Sequence, residues 1–183
     1  MTAVASMLWR RLDGSGHDAA ILVSGASGWI LQGTAVFAHE AGGACLSYRV
    51  DLDGEWRSRA GAIEGFVGTR TISHAIAREA NGWSLNGKIV DGIGHLLDLD
   101  YSFTPATNFQ QLQRIGIGAG AAAEIPAAWF NLEDESLTEL PQRYERQSDR
   151  QYAYKAPSLA FETDLVIAPN GFVSLYPPYW EGA

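Results

Sequence analysis

The feature that most constrains this chain is a repeated unit of alternation, turn pair and alternation. Leu46, Tyr48, Val50 and Leu52 alternate with Ser47, Arg49, Asp51 and Asp53, and the run stops at Asp53-Gly54. A period of two sends one row of side chains to a core and the other to a polar space. Asp53-Gly54 is a turn pair, and Glu55-Trp56-Arg57 reads as the start of the return strand. Gly82 to Leu85, Asn86-Gly87 and Lys88-Ile89-Val90 repeat the pattern. So do Phe161, Thr163, Leu165 and Ile167, which lead into Pro169-Asn170-Gly171 and back through Phe172 to Tyr176. Such dipeptides accept positive backbone φ at low cost, which tight hairpins require.

Further strands are expected at residues 19–24, 29–37, 66–77, 95–103, 125–131, 144–147 and 152–155. Short strands at even spacing predict a mainly β chain: a barrel, a sandwich or a rolled sheet. One short helix is expected from Thr104 as N-cap and Pro105 at the first helical position to about Gln113. Residues 137–150 are helix-friendly, but Pro141 within them argues for strand or loop. The proline-rich Tyr176–Trp180 reads as an edge or plug, because proline gives no ladder hydrogen bond. With 183 residues and no linker, a single domain over 1–183 is expected.

Thirteen Lys and Arg face 21 Asp and Glu, a formal charge of -8, and the basic residues are scattered. That balance disfavours nucleic acid and anionic membrane surfaces as partners. Cys45 is the only cysteine and the four histidines stand far apart, so no metal site is expected. No signal-like or membrane-spanning apolar run is evident, which predicts a cytoplasmic chain without an integral membrane segment. Gly116-Ile117-Gly118-Ala119-Gly120 lacks the following helix that a dinucleotide fingerprint needs, since Pro126 stands where that helix belongs. No cofactor is expected.

The sharper signal is Asp98-Leu99-Asp100 running into Thr104-Pro105-Ala106-Thr107-Asn108. On a strand, Asp98 and Asp100 share one face while Leu97, Leu99, Tyr101 and Phe103 share the other. Two side chains two positions apart lie about 6–7 Å apart. That spacing admits a catalytic acid/base pair acting on a sugar-containing or small acidic substrate. It equally suits a solvated or arginine-paired strand face in a purely structural or partner-binding protein. A third reading is a polar lining that binds a ligand. No triad, metal cluster or phosphate loop supports the enzyme alternative, so no catalytic residue is assigned.

Ordered landmarks then point to a family. They are Tyr48-Arg49-Val50-Asp51 with Trp56, Gly82-Trp83 with Asn86-Gly87, and Asp98-Leu99-Asp100 with Thr104–Asn108 and Arg114. Gln142-Arg143-Tyr144, the Tyr152–Tyr154 strand and Asn170-Gly171-Phe172-Val173 with Tyr176-Pro177 complete them. The chain resembles the glycolipid-binding protein family of bacteria and fungi, whose members are similar in shape to periplasmic carriers of lipoproteins and lipids. The resemblance implies an antiparallel sheet curled into an open barrel or spiral β-roll, with one or two short helices. It also implies a glycolipid or similar amphiphile as partner. In that reading Asp98, Asp100, Asn108 and Arg114 hold a polar head and Trp56 and Trp83 offer stacking surfaces. Thr104 and Tyr144 complete the ligand-binding set.

Overall fold

A computed structural model describes residues 1–183. Six long strands form an initial meander: β1 Thr2–Arg11, β2 Gly16–Gly25, β3 Gly28–His39, β4 Gly42–Leu52, β5 Ser58–Val67 and β6 Arg70–Glu79. Short β7 Gly82–Leu85 and β8 Lys88–Ile89 extend it. The middle of the chain holds β9 Asp98–Tyr101, helix α1 Asn108–Ile115, β10 Ala122–Glu124, β11 Ala127–Asn131 and β12 Ser136–Leu140. A second meander follows: β13 Arg143–Arg146, β14 Gln151–Ala156, β15 Phe161–Ile167, β16 Val173–Tyr176 and β17 Trp180–Gly182, with one 3-10 turn at Pro157–Leu159.

Both meanders belong to one sheet of 14 strands in the order β10-β13-β14-β15-β16-β17-β1-β2-β3-β4-β5-β6-β7-β8. Its neighbours are antiparallel, and its two outer strands, β10 and β8, do not meet, so the sheet curls without closing. A second sheet, β12-β11-β9, contains one parallel pair, with Ala127 opposite Asp98 and Phe130 opposite Tyr101. The inward rows of the long strands supply the core; Leu31, Leu46, Val50 and Ile63 are fully buried. The small sheet fills the curl. Ser58 on β5 donates its backbone N–H to Leu97 O (2.9 Å), and its Oγ accepts the Leu99 N–H (3.0 Å). The indole N–H of Trp83 donates to Leu96 O (3.1 Å).

Two glycines let the sheet accept aromatic rings from inside. Gly33 lies opposite Tyr48, and a Cβ on it would overlap the Tyr48 hydroxyl and the Ala19 carbonyl. Gly61 leaves room for Tyr101, whose hydroxyl donates to Arg49 O (2.9 Å). A ring lying across a strand glycine recovers packing that the missing side chain would forfeit. The Gly33→Ala variant should lose about 1–3 kcal/mol, the usual cost of overpacking. Urea denaturation checks this, and an unchanged midpoint would show that Tyr48 moves aside freely.

Several local expectations are corrected by turn chemistry. The return strand after Asp53-Gly54 begins at Ser58, not Glu55. Asp53 Oδ1 accepts the N–H groups of Glu55 (2.8 Å) and Arg57 (2.9 Å), and Trp56 adopts φ 66°, so these residues form the turn itself. The expected strand over 66–77 is two strands broken at Gly68, φ 59°. Only Asp98–Tyr101 of 95–103 is strand, and both its faces are buried. The helix starts at Asn108 rather than just after Thr104, because Thr104 Oγ1 accepts the Ala106 N–H (3.0 Å) in a separate turn. Tyr176–Trp180 is no edge: it forms the β16–β17 hairpin inside the large sheet, with both prolines in its turn.

Candidate functional site

The curled sheet and the small sheet enclose a cavity of about 580 Å3. Its size lies within the range of small-molecule sites. Twenty-two residues line it, 13 of them hydrophobic, so its walls are mainly apolar and aromatic. Tyr154, Phe161, Tyr176 and Tyr179 form one wall, with Phe161 and Tyr179 stacked at 5.3 Å between ring centres. Tyr154 and Tyr176 meet edge to face at 5.8 Å. Trp129, Tyr101, Phe103, Phe37 and Trp180 complete the aromatic lining. The buried polar lining is Asp100, Thr104 and Asn108, which are 7%, 5% and 3% exposed. Ala38, Glu40, Ser102, Glu133, Leu159 and Tyr179 are the solvent-exposed lining and mark the mouth.

Each buried polar group is held from behind. Asp100 Oδ1 accepts Thr107 Oγ1–H (2.5 Å) and the Tyr101 N–H (3.0 Å), and its Oδ2 accepts the Gln142 amide N–H (2.7 Å). Burial raises its pKa above the ordinary aspartate range, while the bonds from Thr107 and Gln142 oppose that rise. Asn108 Nδ2 donates to the Tyr144 hydroxyl (2.7 Å), and Tyr144 donates to Gln111 Oε1 (2.8 Å). Thr104 Oγ1 donates to Asp18, which is fully buried on β2 and also accepts the Tyr48 hydroxyl (3.0 Å). Burial pushes Asp18 up to about 6, against the hydrogen bonds from Thr104 and Tyr48. Burial likewise raises the phenols of Tyr144, Tyr154 and Tyr176, so they stay neutral donors.

The mouth is tied to its walls by charge. Ala41 N–H donates to His39 Nδ1 (3.1 Å), which leaves the proton on Nε2, facing Glu133 Oε1 at 3.2 Å. Arg11 is the one arginine in the lining, and it is held by Asp13 at 2.8 and 2.5 Å. Its guanidinium also lies over Phe37 (4.9 Å) and Trp180 (5.4 Å).

The structure separates the residues singled out from sequence. Asp100, Thr104 and Asn108 line the cavity together. Tyr144 stands behind Asn108 as its hydrogen-bond partner. Asp98 points from β9 to α1, where Arg114 Nε and Nη2 donate to it at 2.9 and 2.5 Å. Burial raises the Asp98 pKa, with Arg114 opposing the rise. Asp98 is fully buried outside the cavity lining, so the two aspartates do not face one space. Trp83 is wholly buried in the core. Trp56 stacks on Trp29 at 4.5 Å, away from the cavity. Sequence reasoning missed the Tyr154–Tyr176 wall and the buried Asp18. The alternation of Tyr152 with Tyr154 was a readable signal for the wall. Asp18 carried none, because only pairing with β3 and contact with Thr104 distinguish it.

An open roll of antiparallel strands, filled by a smaller sheet and enclosing an amphipathic cavity, defines the class of protein. Residues 6–182 match the sequence family described as "Putative glycolipid-binding", and the chain belongs to that family. A crystal structure of a DUF1089 family protein from Pseudomonas aeruginosa is similar with a TM-score of 0.76. The match covers 90% of this chain and 91% of that one at 22% identity, and it supports the fold alone. Among curated proteins, none matches.

Proposed function

We propose that this chain binds a glycolipid or related amphiphile in the cavity, without chemistry. The observation that carries this reading is the division of one cavity into aromatic walls and a buried polar set of Asp100, Thr104 and Asn108. Aromatic rings cover apolar ligand surface, and convergent polar groups orient its head. Paired catalytic carboxylates are not supported, because Arg114 closes off Asp98. The family description agrees with the binding reading.

Trp129 and Trp180 line the cavity and report its occupancy. Titration with short-chain glycolipids should change tryptophan fluorescence. At a ligand concentration 100 times Kd, it should add about 2.7 kcal/mol of stability, read as a higher melting temperature. Mass spectrometry of an organic extract should also find a co-purifying lipid. Unchanged fluorescence and melting temperature across glycolipids, with an empty extract, would sink the reading.

A further inference from the structure

We propose that the cavity takes its ligand head first and selects a neutral head that donates hydrogen bonds, so that a polyhydroxylated head is accepted and an anionic one rejected. This inference rests on the amphiphile-binding reading and adds the class and orientation of the ligand.

The first argument is the hydrogen-bonding sign of the buried end. Asp100 is a three-bonded carboxyl: it accepts from Thr107, Tyr101 and Gln142. An ionised carboxylate has about four acceptor positions, and the Gln111 amide lies against the fourth, so Asp100 contributes charge rather than a free acceptor. Asn108 uses one amide N–H on Tyr144, leaving its amide oxygen to accept and its second N–H to donate. Thr104 gives its hydroxyl proton to Asp18 and accepts the Ala106 N–H, which leaves one lone pair to accept. The buried lining therefore offers acceptors at Asn108 and Thr104 and donors at the second Asn108 amide N–H and the Tyr154 phenol, a mixture matched by groups that both donate and accept. A sugar hydroxyl does both; a fully ionised phosphate, sulfate or carboxylate only accepts.

The second argument is charge. Asp100 is a buried acid, and Glu40 and Glu133 stand exposed at the mouth. Arg11, the one arginine in the lining, is held by Asp13. His39, in its neutral form, directs its proton to Glu133. No lining cation is left to compensate an anionic head, and desolvating one beside Asp100 is costly.

The third argument sets orientation. Asn108 and Thr104 lie in the buried part of the lining, whereas the mouth carries, besides Glu40 and Glu133, the exposed apolar Leu159 (49%) and Tyr179 (37%). A head bound at Thr104 and Asn108 places its alkyl tail along Phe161 and Tyr179 and out past Leu159. The reverse orientation would leave the acceptors facing hydrocarbon, with their hydrogen bonds unmade.

The experiment compares three probes of equal tail length by calorimetry, each below its micellar concentration: octyl glucoside, its per-O-methylated form and octyl phosphate. Octyl glucoside should bind at least about tenfold more tightly than either of the others, as expected for losing one or two hydrogen bonds. Asn108→Leu should weaken octyl glucoside and leave the per-O-methylated probe unchanged, with the variant's circular dichroism spectrum and melting curve checking its fold. A dye on the far end of the octyl chain should leave affinity unchanged if the tail protrudes. Equal binding of all three probes, or tighter binding of octyl phosphate, would overturn the selectivity while leaving amphiphile binding intact. Loss of binding on labelling the tail end would overturn the orientation. Binding of none of the probes would remove both this inference and the reading beneath it.

Discussion

Replacing Arg114 by methionine should destabilise the protein by about 3–5 kcal/mol near pH 7, the largest single-site effect outside the hydrophobic core. The Asp98 carboxylate is wholly buried, and its two oxygens take three donor contacts from one guanidinium at 2.5 to 3.1 Å. The loss is that of a buried charge left without a hydrogen-bond donor, offset only by the field of Arg78, rather than the worth of the pair. Two consequences separate this cause from lost packing. Asp98→Asn combined with Arg114→Met should recover most of the stability, since no ionised group remains to desolvate. The single variant should also regain stability in acid, because protonating Asp98 removes the stranded charge. Chemical denaturation of the three variants at pH 5 and pH 7.5 provides the comparison. A double variant as unstable as the single one would assign Arg114 a packing function instead.

The second large effect is a stability profile that declines as pH rises. Asp18 has a folded pKa near 6 against an ordinary value of 3.8, because burial outweighs the hydrogen bonds from Thr104 and Tyr48. Below about pH 4 both folded and unfolded chains hold the proton. Between 4 and 6 the unfolded chain releases it and the folded one keeps it, so each step upward favours unfolding. Above 6 both are ionised and the full penalty stands, roughly 3 kcal/mol for a shift of this size. Asp98 and Asp100 are raised too and act in the same direction, while exposed Asp134, lowered by its bond from Ser136, acts in the other. Asp18→Asn isolates the contribution. The stability difference between variant and parent should change by about 2 kcal/mol from pH 4 to pH 7, in favour of the variant at the higher pH. Parallel profiles for the two proteins would show that Asp18 does not titrate in this window.

The regular parts of the fold were legible because they are local. Alternation plus a turn dipeptide identifies the hairpins at Asn86-Gly87 and Asn170-Gly171 without tertiary information. The strand pattern allowed a barrel, a sandwich or a rolled sheet, the resemblance implied the curled one, and the 14-strand sheet agrees with it. What was not legible depends on partners distant in sequence. Alternation places Asp98 and Asp100 on one face of β9, but it does not reveal that α1 covers that face or that Arg114 takes only one of them. Thr104 reads as a helix cap by composition, yet Asp18, 86 residues away in sequence, takes its proton and Ala106 takes its lone pair. Trp83 reads as a stacking surface because polar residues flank it. Its burial follows from a hydrogen bond to Leu96 O that no period announces. The region 1–11 shows no alternation strong enough to mark a strand, and β1 exists because β2 and β17 flank it.

The junction of β1 with β17 has a kinetic consequence. Each meander forms from neighbours in sequence, so its pairings close short loops and can assemble early. The two meanders pair through Trp9, Arg10 and Arg11 opposite Gly182, Glu181 and Trp180, reinforced by the Trp9 indole donating to Val173 O across 164 residues and by Asn170 donating to Ser6 O. Closing so long a loop is entropically slow. A species with two folded halves and an open seam would expose the β1 and β17 edges together, each a template for pairing with another molecule. Colloidal behaviour during refolding is therefore governed by how fast one short seam closes, and protein concentration at that moment decides between the roll and the aggregate.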